Sequence, residues 1–181
     1  MHADRGFSLI ELLVVMALGL VVSAMAVLPY QSIAATTQAD ANLRIVEGQL
    51  KYARDAATSQ RRPFELRITA PNILEVVRHN IPGGTTVVST ARLEHGMHFA
   101  IVNSTTDTPD GFGRAAPVDF GGATSIRFTA DGMCTDAAGN PVNGTIYLAR
   151  PGEQATARAL TVFGLSARVR SYRWNGSAWK P

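Results

Sequence analysis

Cysteine, charge and aromatic residues are all scarce in this chain. Cys134 is the only cysteine among 181 residues, charged residues make up 17% and aromatic residues 7%. A single cysteine excludes an intrachain disulfide and any Cys-x-x-Cys metal or redox site. Hydrophobic residues nevertheless make up 46% of the sequence, and a chain of this length can bury a core without such crosslinks. We therefore expect one folded domain plus an appendage.

Recognisable catalytic and ligand-binding patterns are also missing. His95 and His98 should point to opposite faces of an extended segment, and Gly111-Phe112-Gly113 begins a G-x-G-x-x-G pattern that ends in Ala116. Cys134 has no histidine beside it in the sequence. Oxygen-bearing side chains of the kind that bind Ca²⁺ occur in a spacing unlike that of an EF-hand: Asp131, Asp136, Asn140 and Asn143. The sequence predicts no enzyme, no cofactor and no metal site.

Charge is unevenly distributed along the chain. Residues 1–149 contain 11 Lys and Arg against 13 Asp and Glu, whereas residues 150–181 contain 6 against 1. The net charge of +3 therefore comes from the C-terminal tail. A basic tail favours acidic partners but does not by itself select one.

The N-terminus carries an uncharged run from Leu12 to Leu28, with Glu11 at its head. The length of the run is at the lower limit for a transmembrane helix, which needs about 17–25 apolar residues. A secretory signal is a second reading, because Ala24-Met25-Ala26 offers a small-residue cleavage site. A third reading is a leader that is cleaved before the run, so that the run is retained.

The residues ahead of the run favour the third reading. Arg5-Gly6-Phe7-Ser8-Leu9-Ile10-Glu11 continues into LLVVMA, and this segment resembles the processing site of type IV pilins and type II secretion pseudopilins. The resemblance implies that prepilin peptidase cleaves between Gly6 and Phe7 and that Phe7 is N-methylated. Residues 1–6 would then be a cleaved leader, and residues 7–28 would span the bacterial inner membrane.

The same resemblance gives Glu11 a role in assembly, as the fifth residue of the mature chain. An unpaired carboxylate in a bilayer costs about 2.5–3.5 kcal/mol on insertion scales. A neighbouring subunit can offset that cost with the ammonium group of its own Phe7, which only cleavage exposes. Such a pair forms at one axial stagger, so Glu11 would set the register between subunits.

Beyond the run the pattern becomes amphipathic. Apolar residues recur at steps of three and four, which places them on one helical face: Leu43, Val46, Leu50, Ala53 and Ala57. We predict one helix from about residue 7 to residue 60 within a helical segment 7–62, bent at Pro29 and loosened at Gly48. A coiled coil with a partner helix is the alternative for this stripe.

Residues 63–181 change to short alternating segments separated by turn sequences, which predicts a globular β domain. The predicted strands cover residues 64–70, 73–79, 85–89, 97–102, 125–130, 145–150, 158–163 and 168–174, and a surface loop covers residues 104–122. The predicted fold class is α+β: a long N-terminal helix, transmembrane and then amphipathic, packed on an antiparallel β-sheet domain in a pilin-like arrangement.

A second resemblance narrows the family. The segment QLKYARDAATSQRRPFEL, residues 49–66, is similar to the end of the helix in H-type minor pseudopilins and FimT-type minor pilins, the GspH/FimT family. That family carries a Gly-Arg-x-Arg motif near its last strands. Here Arg168-Val169-Arg170 keeps the Arg-x-Arg part, but Ala167 stands in the position of the glycine.

The C-terminal tail is also a candidate nucleic-acid surface. In a strand, Arg168, Arg170, Tyr172 and Trp174 share one face, and Arg173 lies between them. Arginines beside aromatic rings suit phosphates and stacked bases, so Arg168, Arg170, Arg173 and Trp174 are candidate DNA-binding residues. The alternative is an edge strand that is protected by its charge.

These observations predict a non-enzymatic assembly subunit. It would be a minor pilin or pseudopilin, anchored by one inner-membrane pass with its globular domain in the periplasm, and inserted with other subunits into a type II secretion pseudopilus or a type IV pilus. A DNA-binding minor pilin that serves DNA uptake is the alternative within the family. A secreted or membrane-anchored hydrolase is the alternative from another class, and it needs a nucleophile and a base that the sequence does not offer.

Overall fold

The computed structural model describes residues 8–181, except for the side chains of residues 25–32. The chain divides into two compact units, residues 1–35 and residues 36–181. One α-helix, α1, extends from Leu9 to Gln60, and eleven β-strands follow it in the described part of the chain. The fold class is therefore α+β, as the sequence predicts. The predicted helix start at Phe7 lies outside the described residues.

Helix α1 continues without interruption across Pro29 and Gly48. In the unit of residues 36–181 the predicted apolar stripe is buried, with exposed fractions of 0–6% at all five positions. Asn42 lies beside the stripe and fixes the helix to the following chain, since its Oδ1 accepts a 2.7 Å hydrogen bond from the main-chain N–H of Glu94. The stripe belongs to the same core cluster as residues of the β-strands, so the chain itself covers the face that a coiled-coil partner would need.

The helix ends in a left-handed turn. Arg61 has a positive φ of 49°, and the N–H of Arg62 donates a 3.2 Å hydrogen bond to the carbonyl of Ala57. This six-to-one bond is the signature of a Schellman motif. Pro63 follows and has no N–H with which to continue the helix, so α1 ends where the sequence predicts.

The strands fall into two antiparallel sheets. In chain order they are β1 (Phe64–Thr69), β2 (Ile73–His79), β3 (Thr85–Arg92), β4 (His98–Phe99), β5 (Val118–Asp119), β6 (Ser125–Phe128), β7 (Cys134–Thr135), β8 (Gly144–Arg150), β9 (Glu153–Val162), β10 (Val169–Trp174) and β11 (Trp179–Lys180). The first sheet has the order β3-β2-β1-β6-β7, and the second has the order β11-β10-β9-β8-β4, with β5 also paired to β8.

The second sheet is buried on both faces. Leu148 and Leu160 lie in a core shared with α1 and the first sheet. Tyr147, Tyr172 and Trp174 point to the opposite face and form a second cluster with Trp179. Strand β8 is therefore buried at nearly every position, which is the pattern of a strand covered on both sides rather than of one with a solvated face.

The prediction of a surface loop over residues 104–122 is wrong in part. The segment contains β5, and Thr105, Thr108 and Phe120 within it are buried. The physical reason is that this segment packs over the outer face of the second sheet: Trp179 Nε1 donates a 2.8 Å hydrogen bond to the carbonyl of Thr106. The two-residue strands β7 and β11 are not predicted, because so short a segment carries no alternation. Strand β4 is shorter than its predicted segment, and β9 begins five residues earlier than predicted.

Candidate assembly segment and basic C-terminal strand

The described part of the N-terminal segment begins with a helix cap. Gly6 and Phe7, the predicted processing residues, lie outside the described residues. The main-chain N–H of Ser8 donates a 3.4 Å hydrogen bond to Oε2 of Glu11. Ser8 and Glu11 form an S-x-x-E pattern, in which the carboxylate satisfies a free N–H of the first turn. The pattern is readable in the sequence and gives Glu11 a local role in addition to its predicted assembly role.

Apolar side chains surround Glu11 on every side of the helix. Eleven large apolar residues between Leu9 and Val22 are 53–80% exposed, and their positions leave no polar face over these turns. So extensive an exposed apolar surface indicates contact with a membrane or with another protein. Within the residues that the structure describes with their side chains, no helix is long and apolar enough to cross a bilayer. The predicted span 7–28 includes Phe7 and the side chains of residues 25–28, which lie outside the description.

The candidate DNA-binding residues in and beside strand β10 differ in how exposed they are. Arg168 is exposed and precedes the strand. Trp174 is only 6% exposed, and its ring centroid lies 5.2 Å from that of Trp179 in the second cluster. Its ring therefore fills the interior, and a stacking base would have no access to it. Of the four residues predicted to share one face, Arg170, Tyr172 and Trp174 alternate along β10, and Arg168 lies just before it.

Arg170 forms an ion pair with a carboxylate from the loop over the sheet. Its Nη1 lies 2.6 Å from Oδ1 of Asp110, and Oδ2 of Asp110 accepts hydrogen bonds from Thr161 Oγ1 at 2.6 Å and from Tyr172 OH at 2.8 Å. Burial opposes ionisation of Asp110, but the hydrogen bonds from Thr161 and Tyr172 and the charge of Arg170 outweigh it and lower its pKa. Asp110 thus ties the loop to β9 and β10.

Arg173 is paired through a carboxylate on α1. Its Nε lies 3.1 Å from Oδ1 of Asp40, and the same oxygen lies 2.7 Å from Nε of Arg158. The Arg158 side chain is 3% exposed, and its Nη atoms also donate to the carbonyls of Thr36, Ala155 and Ala157. Nothing in the sequence indicates these pairings, because the partners lie more than a hundred residues apart.

Ala167 has the backbone conformation for which a glycine is usually needed. Its φ is +46°, and the residue is buried. Left-handed backbone favours glycine because a Cβ crowds the following carbonyl. This is the position at which the resembled Gly-Arg-x-Arg motif has glycine.

The remaining candidate residues from the sequence lie in turns, in a strand or in the core. His95 is exposed in a turn and His98 begins β4. Burial raises the pKa of the Cys134 thiol to about 12, which makes it unreactive at neutral pH. Asp136 accepts a hydrogen bond from the main-chain N–H of Asn140 at 2.9 Å within a turn. Within residues 8–181, no group of three or more His, Cys, Asp or Glu is arranged to hold a metal ion.

Two comparisons with known proteins bear on this architecture. A family model described as the prokaryotic N-terminal methylation motif matches residues 1–27. Among solved structures, the chain is similar to the type IV minor pilin FimU of Pseudomonas aeruginosa, with a TM-score of 0.53 at 14% identity over 80% of this chain and 93% of that one. The chain carries a prepilin-type methylation motif on a minor-pilin fold.

The minor-pilin fold is shared with a secretion component. The chain is also similar to the minor pseudopilin EpsH from the type 2 secretion system of Vibrio cholerae, with a TM-score of 0.52 at 13% identity over 75% of this chain and 97% of that one. No curated protein matches the sequence. The predicted resemblance to type IV pilin-like proteins is confirmed, and the fold is equally close to a pilus and a secretion protein.

Proposed function

We propose that the chain is a minor pilin-like structural subunit rather than an enzyme. In this proposal prepilin peptidase removes residues 1–6 and methylates Phe7. Residues 7–28 then hold the subunit in the bacterial inner membrane, with residues 63–181 in the periplasm, until it joins other subunits in a filament. The observation that carries the proposal is the methylation motif over residues 1–27, which includes the exposed apolar start of α1, together with the minor-pilin fold.

Glu11 is the residue on which assembly is proposed to depend. It is the charged residue at the head of an exposed apolar surface, and a charge in such surroundings is retained only where a partner charge offsets its desolvation. The Phe7 ammonium group of a neighbouring subunit would supply that charge. The filament is a type II secretion pseudopilus or a type IV pilus, and the proposal holds for either.

Two substitutions of Glu11 separate charge pairing from capping. Glu11→Gln keeps an oxygen for the Ser8 N–H, since glutamine also serves in capping boxes, whereas Glu11→Val removes both the oxygen and the charge. Removal of a charge-assisted interaction of about 1.5–3 kcal/mol corresponds to a drop in incorporation of about tenfold or more. We expect both variants to reach the membrane and both to be depleted from filaments sheared from the native host.

Immunoblots of the membrane and sheared-filament fractions measure this outcome. Leu13→Val is the matched control on the same exposed surface and should enter filaments normally. If Glu11→Gln enters filaments at the wild-type level, Glu11 acts as a helix cap and the charge-pairing proposal is wrong.

DNA binding is the second candidate function. The observation in its favour is the exposed Arg168 beside Arg170 and Arg173, which are 40% and 55% exposed. If these residues bind phosphates, the full-length chain should bind duplex DNA in a fluorescence-anisotropy titration at low salt. Arg168→Ala with Arg170→Ala should then lower the salt slope by about 0.9 for each phosphate that is no longer neutralised. Absence of binding to DNA by the unmodified protein would remove this candidate.

A further inference from the structure

Strand β10 has an open edge over part of its length. It pairs with β9 from Val169 to Arg173, but β11 pairs only with Arg173 and Trp174. In the described part of the chain, no strand lies beside Val169–Tyr172 on the side away from β9. The second sheet therefore has an unpaired edge in the middle of its basic strand.

Hydrogen bonds at the start of β10 show which main-chain groups face this edge. The N–H of Phe163 donates to the carbonyl of Arg168 at 2.9 Å, so alternate residues Arg170 and Tyr172 direct their main-chain groups toward β9. Val169 and Ser171 consequently direct their N–H and C=O groups toward the open side. These groups are a template for one further strand.

A groove follows the open edge. A cavity of about 460 Å³ is lined by residues 168–172 and Pro181. An adjoining cavity of about 150 Å³ lies between Ser171 and α1, where Arg44 and Glu47 line it. At about 3.3 Å per residue, the open edge over residues 169–172 has room for three to four residues of an extended chain.

The charge that faces solvent along the groove is mainly positive. Four arginines along it are exposed or about half exposed: Arg44, Arg168, Arg170 and Arg173. The nearby carboxylates are less accessible, since the side chain of Asp110 is 7% exposed and that of Asp40 is 21% exposed, and Glu47 is half-buried. These four arginines, which we call the arginine rim, therefore place several guanidinium groups beside the unpaired main-chain donors and acceptors.

We propose that the open edge of β10 binds an extended acidic segment of another protein chain by strand addition. Main-chain hydrogen bonds to Val169 and Ser171 would supply the pairing, and acidic side chains on alternate residues of the segment would lie on one face of the sheet, beside Arg168 and Arg170. This inference goes beyond the filament role and does not depend on it.

A peptide fits these features better than duplex DNA does. DNA has no backbone that could extend the hydrogen-bond ladder of β10. The buried Trp174 ring cannot stack on a base. An extended peptide uses both the unpaired main-chain groups and the positive rim.

The test uses the full-length chain in detergent micelles and a fluorescein-labelled peptide of alternating valine and glutamate, followed by anisotropy. Two comparison peptides separate the contributions. One has lysine in place of glutamate, and the other keeps the side chains but is N-methylated at every residue, which removes the main-chain donors. We expect each comparison peptide to bind at least about tenfold more weakly than the acidic peptide.

A charge reversal on the protein provides the second arm. Arg168→Glu should weaken binding of the acidic peptide about threefold to tenfold, as expected for a rim charge turned from attractive to repulsive. Arg92→Glu is the matched control: it makes the same charge change at an exposed position on β3, the edge strand of the first sheet, and should change binding less than about twofold.

Three results would overturn the proposal. The first is equal binding of the N-methylated peptide, which would mean charge alone without strand pairing. The second is tighter binding of a duplex DNA of about 20 base pairs that Arg168→Glu abolishes, which would make the edge a nucleic-acid surface. The third is no binding of the acidic peptide at a concentration of about 1 mM.

Discussion

Asp110 is the residue that connects the loop to the second sheet most directly. Its carboxylate accepts hydrogen bonds from Thr161, Tyr172 and Arg170, and its pKa in the folded protein lies below the ordinary value of 3.8. A carboxyl whose pKa is lowered by folding stabilises the protein fully above its unfolded-state pKa. That contribution is lost as the pH falls through the folded-state pKa.

Asp110→Asn should therefore have a pH-dependent effect on stability. Near pH 7 it should lower the free energy of unfolding by about 1–3 kcal/mol, because asparagine keeps one acceptor oxygen but replaces the other with an NH2 group that cannot accept a hydrogen bond. The difference from the wild type should begin to narrow below about pH 4, the ordinary pKa of an aspartate in the unfolded chain, and should narrow further as the pH falls through the lower folded-state pKa. Urea unfolding between about pH 2 and pH 7 measures it. Asp55→Asn, at an exposed position on α1, is the control. A pH-independent difference would show that the carboxylate charge does not matter.

Ala167 allows a second test at the same scale. Ala167→Gly removes the strain of a left-handed backbone, which stabilises the folded protein by about 1–2 kcal/mol. Two terms oppose this gain: loss of a buried methyl group costs about 0.8 kcal/mol, and the greater entropy of the unfolded chain costs about 0.4–1 kcal/mol. These terms nearly cancel, so the change in stability should stay within about 1 kcal/mol. Ala167→Val should destabilise the protein by about 2 kcal/mol or more, since a β-branched residue is disfavoured at positive φ and the site is packed. Thermal unfolding compares the two, and equal effects would contradict the backbone argument.

At the scale of elements, α1 is held to the second sheet through the pair Asp40–Arg158. The Arg158 guanidinium is buried, so removing its carboxylate leaves a buried charge with only carbonyl acceptors. Asp40→Ala should therefore destabilise the protein by about 3–5 kcal/mol. Arg173→Ala removes the other partner of Asp40 at an exposed site and should cost less than about 1 kcal/mol. Chemical denaturation followed by circular dichroism measures both. Similar costs for the two variants would show that the buried pair is not what holds the helix.

Elements with strong periodicity were predictable from the sequence. The buried stripe of α1 repeats over four turns, and the Arg61-Arg62-Pro63 stop follows from proline chemistry. Strand β2 has the bounds that its alternation predicts. The two-sheet division was not predictable, because Thr106 and Asp107 of the loop contact Trp179 and Tyr147 of the second sheet across a large separation in sequence. Periodicity reports which face of a segment is buried but not which segment buries it.

At the scale of the whole molecule, one part of the candidate site was predictable from the sequence and another part was not. The processing motif around Gly6 and Glu11 is contiguous, so the sequence alone carries it. The basic strand could be located from Arg168 and Arg170, but its open edge could not, because that edge depends on β11 pairing with only two residues of β10. The partners of its arginines come from α1 and from the loop.

The central claim is that the chain is processed as a pilin-type precursor, and the N-terminus of the mature protein tests it most directly. Intact mass and N-terminal peptide sequencing of protein purified from host inner membranes should give a chain that begins at Phe7 and carries one methyl group on its amine. Gly6→Leu is the control and should retain the leader. A chain that begins at Val27, after Ala24-Met25-Ala26, or one that keeps residues 1–6 without methylation, would contradict the account.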